Sequence, residues 1–173
     1  MDRSRSPFRD DVPDIARLKS LYTYDPLTGY FRLTSSRGGH PAGKAAGTMS
    51  NHGYLIIGVD RVRHPAHRLA WLYVHGYWPP AYIDHINRNR ADNRIANLRM
   101  ATQSQNNVNS AIRSDNSTGH KGVVFDAGRG RFRAYIVQKG KQKHLGRFRL
   151  FEDACSAYDR AASEMFGEFA RAA

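Results

Sequence analysis

Between Tyr82 and Asn109 the chain reads YIDHINRNRADNRIANLRMATQSQNNVN. Four residues in this stretch could do chemistry together: Asp84 and His85 at the end of an apolar run, Asn97 within IANL, and Asn106 in the polar segment beyond. Hydrolysing a phosphodiester requires a base to activate water, a cation to neutralise charge on the phosphate and the leaving oxygen, and a frame that holds both in line. Histidine titrates near neutrality, which makes His85 the candidate base. The Asp84 carboxylate and the Asn106 amide carbonyl are hard oxygen donors, suited to one Mg²⁺ or Mn²⁺ ion rather than to zinc. Two protein ligands leave positions for water and phosphate oxygens, as Mg²⁺ prefers. Asn97 carries both donors and acceptors, so it can tie loop carbonyls and orient His85. Taken alone, NRNRADNR would pass for a long solvated turn. The spacing of the acid, the histidine and the two amides argues for more.

The elements that must position these residues follow from local pattern. AYIDH reads as a short strand, NRNRADNR as a loop too polar to bury, and IANLRMAT as a second strand or extended segment. TQSQNNVNSA then starts a helix, with Thr102 or Ser104 available as N-cap. The result is a ββα unit in which Asn106 faces back across the hairpin toward Asp84. Upstream, a short helix is expected over Pro13–Leu21, with Ile15, Leu18 and Leu21 on one face. A turn and strand follow through YDPLTGYFRL, then a loop over 34–52 whose basic residues could touch phosphate. GYLIIGVD reads as a strand and RVRHP as a turn. AHRLAWLYVHG is a helix that Gly76 stops, with His67 and Arg68 in its first turn. A lone histidine there is more often structural or a phosphate contact than a metal ligand. Pro79-Pro80 forces an extended approach to the central stretch.

HRLAW followed by DHINRNRADNRIANLRMATQSQNN resembles the HNH endonuclease family, in particular its phage and intron-homing branch. The resemblance spans about 22–110 and implies a ββα-metal (His-Me finger) module. It implies His85 as general base, Asn97 as the amide that braces the turn, and Asp84 and Asn106 as ligands of a divalent metal. Gln105-Asn106 stands where that branch commonly has Glu-Asn. Arg88, Arg90, Arg94 and Arg99 surround the site and are expected to grip DNA phosphates.

The C-terminal third differs in character. KGVVFDAGRGRFRAYIVQKGKQKHLGRFRL alternates as three strands joined by turns at Gly128–Gly130 and Lys139-Gly140, a three-stranded antiparallel meander. Residues 152–166 form a helix with an apolar stripe of Ala154, Ala157, Tyr158, Ala161 and Met165, which suits packing on the sheet. By alternation Arg131, Arg133 and Tyr135 share one face, and Phe132, Ala134 and Ile136 the other. With Lys121, Arg129, Lys141 and Lys143 nearby, the outer face is expected to be basic and aromatic-edged, able to enter a major groove. The segment 117–171 is similar to the Apetala-2/ethylene-response-factor type of DNA-binding domain. That similarity implies base and phosphate contacts from Arg129, Arg131, Arg133, Tyr135 and Lys143.

The net charge of +12 on 173 residues predicts a polyanionic partner. No apolar run approaches the roughly 20 residues of a spanning helix, so nucleic acid is expected and a membrane is not. The single cysteine, Cys155, excludes an internal disulfide and a cysteine-based zinc site. It sits among alanines in a helical pattern and reads as a small core residue. The expected class is α+β. A basic disordered tail spans 1–12 and a nuclease domain 13–112, with its ββα core at 81–110. A linker over 113–119 leads to a sheet-and-helix DNA-binding domain at 120–173. The functional expectation is a metal-dependent endonuclease on duplex DNA, monomeric and with no protein partner. Its expected place is the cytoplasm of a bacterial host, encoded by a phage or mobile element. A non-catalytic DNA-binding regulator with a relic nuclease module and an RNA-directed nuclease are the alternatives.

Overall fold

The computed structural model describes residues 12–110, 112 and 114–170. The expected tail at 1–12 therefore lies outside the described residues except for Val12, as does Arg113 of the expected linker. The chain is α+β and divides into two compact units between Met100 and Ala101. This boundary falls before the linker expected at 113–119, and it puts the helix that bears Asn106 in the second unit rather than in the first module.

The first unit opens with α1 (Ile15–Leu21), which Asp14 caps by accepting from the Arg17 N–H. The helix ends where Tyr22 and Tyr24 begin to alternate into the core, giving β1 (Tyr22–Tyr24) paired antiparallel with β2 (Phe31–Leu33). Residues 34–52 are not wholly loop as expected. A short strand β3 (Thr48–Met49) joins a three-stranded antiparallel sheet with β4 (Leu55–Val59) and β5 (Val62–Pro65). The expected turn RVRHP is likewise mostly strand. The chain reverses earlier, at Asp60 and Arg61, which both take positive φ (46° and 69°). That pair of left-handed residues is the two-residue hairpin turn whose twist matches the strands, and Asp tolerates the conformation well enough to supply it without glycine. Helix α2 (Ala66–His75) follows, and Gly76 ends it in the left-handed region at φ 80°.

The last hairpin of this unit is β6 (Tyr82–His85) against β7 (Leu98–Ala101), with a short 3₁₀ turn, Ile95–Asn97, leading into β7. Leu18, Tyr22, Phe31, Ile57, Leu69, Leu72, Ile83 and Leu98 form one buried cluster, so α1, β1, β2, β4, α2, β6 and β7 lean on the same core. One glycine is decisive for the loop between β6 and β7. Gly29 has φ 75°, and a Cβ there would lie 2.5 Å from the Arg94 backbone nitrogen. The turn at 25–29 therefore seats directly on the loop backbone at 93–94. The Ile95 N–H also donates to Pro26 O, at 3.3 Å.

The second unit contains α3 (Gln103–Asn109), the antiparallel sheet β8 (Val123–Asp126), β9 (Arg131–Gln138) and β10 (Lys141–Phe148), and α4 (Phe151–Phe166). Thr102 is the N-cap of α3. Its hydroxyl accepts from the Gln105 N–H while the Gln105 side chain accepts from the Thr102 N–H, a reciprocal capping box. Ala154, Tyr158, Ala161, Ala162 and Phe166 of α4 bury against Val123, Ala134 and Ile136 of the sheet. Cys155 is partly buried at the edge of that cluster.

Gly29→Ala is expected to destabilise the first unit by on the order of 3 kcal/mol, from left-handed strain and backbone collision combined. Urea unfolding followed by tryptophan fluorescence measures this, because both tryptophans, Trp71 and Trp78, lie in the first unit. A loss below about 0.5 kcal/mol, within the range of an ordinary surface substitution, would show that the loop does not depend on that seat.

Candidate active site

Strand β6 carries its chemistry at its end. Ile83 points into the core, and Asp84 and His85 are buried with it, at 4% and 5% exposure. A carboxylate this deep requires a counter-charge. Arg99 on the neighbouring strand β7 supplies it, its Nε donating to Asp84 Oδ2 at 2.9 Å. The Arg99 side chain is only 12% exposed. Of the four arginines expected to grip DNA, this one is turned inward by the charge beside it. Arg94 lies on the surface and forks onto Asp92, whose carboxyl it holds down at about 2. Arg90 donates to His52 O at 2.9 Å and lies over the Tyr54 ring. Arg88 is exposed and takes a left-handed φ of 65° just past the site.

The loop between β6 and β7 is polar yet ordered, because amide side chains close it from within. Asn97 Oδ1 accepts from the Asn87 N–H at 3.0 Å, and its Nδ2 donates to Asn87 Oδ1 and to Asp92 O. Its own carbonyl accepts from the Ile86 N–H, at 2.9 Å. Asn97 is thus a brace for the turn. The amide beside His85 is a different one: Asn93 Oδ1 lies 3.5 Å from His85 Nε2. Asn93 is 1% exposed, and the Tyr24 hydroxyl donates to its carbonyl at 2.7 Å. Sequence reasoning passed over Asn93 because it sits in a run of turn-forming residues. The available signal was that one Asn of NRNRADNR lies close enough to β7 to be drawn inside.

His85 is packed among rings. The His67 ring stands edge-on to it with centroids 5.0 Å apart, and Tyr54 lies 6.0 Å away. Burial lowers the His85 pKa below its ordinary value, against a smaller opposing effect from the Asn93 contact and from Asp84. His67 is lowered further, first by burial and then by the neighbouring His85 and Arg68. Its Nδ1 has no hydrogen-bond partner among the described residues. Both imidazoles are therefore neutral at neutral pH, the state a proton-accepting base needs. Arg68, beside them on α2, is 1% exposed and donates to the Pro79 and Ala81 carbonyls. It therefore anchors the segment that leads into β6.

Asn106 lies in the second unit, half-buried on α3, one turn beyond the Thr102 cap. Among the described residues no group of three or more His, Cys, Asp or Glu is arranged to hold a metal ion. A carboxylate and an amide are oxygen donors only, and that donor chemistry fits a hard, heavily hydrated cation better than a zinc cage.

The basic residues of the second unit separate into distinct groups. Arg133 pairs in register with Val124 and Arg147, Tyr135 with His144, and Arg131 with Asp126, so these share one face of the sheet. Arg133 lies over the Tyr135 ring at 5.8 Å. A β-bulge between His144 and Gly146 changes the register, and Lys143 pairs with Ile136 and Lys141 with Gln138. Those two lysines are exposed but belong to the opposite face. Arg129 pairs with Asp126 at 3.2 Å. Lys121 faces inward: its ammonium donates to the carbonyls of Asn107, Val108 and Ser110, satisfying the C-terminal end of α3.

Residues 64–108 match the HNH endonuclease family, a span that contains Asp84, His85, Asn97 and Asn106. The chain is 27% identical over 146 residues to an uncharacterised HNH endonuclease of Acanthamoeba polyphaga mimivirus, covering 84% of this chain and 68% of that one. It is 32% identical over 106 residues to Protein 3.8 of Escherichia phage T7, covering 61% of this chain and 87% of that protein. By the match over 64–108 the chain carries a domain of the HNH endonuclease family. Nuclease activity is the function class that this membership supports. No described helix is long and apolar enough to cross a membrane.

Because the folded state holds His67 and His85 neutral, the unfolded chain binds protons that the folded chain refuses once pH falls below about 6.5. Stability is thus complete above that value and declines as pH falls below it toward the lowered folded-state pKa values. His67→Phe is expected to reduce this slope by up to about 1.4 kcal/mol per pH unit. Urea midpoints across that window measure it, and an unchanged slope would remove His67 from the account.

Proposed function

We propose that this chain is a divalent-metal-dependent endonuclease that hydrolyses phosphodiester bonds in duplex DNA. The observation that carries the proposal is the buried Asp84-His85 pair at the end of β6, its imidazole held neutral by burial and set beside Asn93. An Nε2–H directed at Asn93 Oδ1 leaves the lone pair of His85 on Nδ1. Nδ1 takes the proton from a water molecule as its oxygen bonds to phosphorus. The P–O3′ bond opposite then breaks, and the departing oxygen takes its proton from solvent. Asp84 and Asn106 would hold the cation, with Mg²⁺ or Mn²⁺ as the ion suited to them. When bound, such an ion supplies positive charge at the scissile phosphate and the leaving oxygen. Asn97 keeps the loop closed so that β6 presents both functional groups together, and Arg88 and Arg90 provide cations at the mouth of the loop.

The second unit would position the duplex. Its resemblance to the Apetala-2 type makes the face bearing Arg131, Arg133, Tyr135 and Arg147 the reader of the major groove. A strand presenting guanidinium groups at every second residue can reach base edges and phosphates alike. The phage relative fits a phage or mobile-element origin, with host cytoplasm as the place of action.

His85→Ala is expected to reduce Mg²⁺-dependent plasmid nicking by about 10²-fold or more while leaving duplex binding within about twofold, because it removes only the proton acceptor. Wild-type nicking by that variant, or nicking undiminished in EDTA, would refute the assignment. Arg131→Gln with Arg133→Gln should weaken duplex binding and lower the salt dependence by about two phosphate contacts. Binding measured between 50 and 200 mM salt tests this, and an unchanged slope would place the reader elsewhere.

A further inference from the structure

Arg99 is the arginine of the central stretch that is turned inward, which the DNA-gripping role leaves unexplained. It lies on β7 beside β6, its side chain is mostly buried, and its Nε donates to Asp84 Oδ2 at 2.9 Å. Asp84 is itself 4% exposed. We propose that Arg99 is the resident counter-charge of Asp84 and competes with the divalent cation for that carboxylate, so that the ion loads fully only when substrate phosphate is present. The inference rests on Asp84 being a metal ligand.

The physical reasoning is electrostatic. A guanidinium does not lose its proton at any working pH, so its compensation of Asp84 is permanent. A cation approaching that carboxylate meets a pair whose charges sum to zero, and it meets the repulsion of Arg99 at close range in a poorly solvated site. Among the described residues no group of three or more His, Cys, Asp or Glu that could hold a metal ion supplies further negative charge. The missing negative charge is then that of the scissile phosphate itself. Such a site stays weakly occupied in the free protein and gains affinity on binding DNA. By linkage, the cation tightens DNA binding by the same factor. Arg99 is thus a positioning and charge-balancing residue, and nothing in this role requires it to touch the substrate.

Calorimetric titration of the full chain with Mn²⁺, without DNA, distinguishes the possibilities. Arg99→Gln is expected to bind Mn²⁺ at least about tenfold more tightly than wild type, because the competing charge is gone. Arg99→Lys, which keeps the charge, should stay within about threefold of wild type. In EDTA, Arg99→Gln should melt below wild type, and Mn²⁺ should raise its melting temperature by more than it raises that of wild type. A merely structural arginine would give the opposite sign, with Mn²⁺ binding weakened. Equal or weaker binding by Arg99→Gln therefore overturns the proposal.

A measurement on wild type alone stands independently of how the variant folds. An uncleavable phosphorothioate duplex should tighten Mn²⁺ binding at least about tenfold, and no change refutes the coupling. Asp84→Asn separates the two levels. If it binds Mn²⁺ as wild type does, the metal-ligand reading fails and the proposal with it. If it loses binding while Arg99→Gln is unchanged, only the role of Arg99 fails.

Discussion

A carboxylate removed from water must be neutralised, and the active-site half of this protein is arranged around that requirement. Asp84 reaches the end of β6 almost fully buried, and Arg99 on the adjacent strand meets it there. Breaking such a pair by removing one partner leaves an uncompensated buried charge, typically worth about 3–5 kcal/mol. The pairing therefore ties β6 to β7 through side chains as well as backbone. The same burial acts on the next residue, lowering the His85 pKa and keeping its imidazole uncharged. One buried corner thus sustains an ion pair and a neutral imidazole side by side.

The loop joining those strands shows how a highly polar segment becomes a rigid one. Asn97, Asn87 and Asp92 bond to each other's backbone and side chains across the turn, which fixes its path while Arg88, Asn89 and Arg90 stay exposed. The loop is held from outside as well. Gly29 lets the 25–29 turn touch its backbone, and the Tyr24 hydroxyl donates to Asn93. The N-terminal strands therefore act at a distance on the chemistry. They fix the loop, the loop fixes Asn93, and Asn93 faces the ring of His85. On the other side, Arg68 secures the approach to β6 by donating to the Pro79 and Ala81 carbonyls, and its own desolvation lowers its pKa to about 10.

The second unit solves a simpler problem, the separation of apolar and charged faces across a thin sheet. Ala134 and Ile136 face α4, whose alanines permit close approach, while Arg131, Arg133 and Tyr135 share the other side. Gly122, where a Cβ would lie 2.3 Å from both Tyr135 O and the Tyr158 ring, marks how tightly the start of β8 is pressed into this packing. Lys121, one residue earlier, closes the C-terminal end of α3. Its place in a strongly basic run gives no hint of that role.

Local pattern determined a good deal. The alternation in RFRAYIV corresponds to β9, the alanine stripe to the buried face of α4, Gly76 to the end of α2, and Thr102 with Gln105 to a capping box. Each is set by residues within a turn or two of one another, where sequence neighbours are also spatial neighbours. Asp84, His85 and Asn97 stand out as candidates for the same reason, their types and spacing being local. What only the tertiary structure decided were the partners. It assigned Asn93 and His67 to the two sides of His85, Arg99 to Asp84, and Lys121 to a helix end. It made a strand of Val62–Pro65 by turning the chain at Asp60 and Arg61. It also moved Lys141 and Lys143 off the arginine face through a bulge. A charged or amide side chain reads the same in sequence whether it meets water or a buried partner. Only the packing around it settles which, because the cost of desolvation depends on everything that surrounds the group and not on the residue itself.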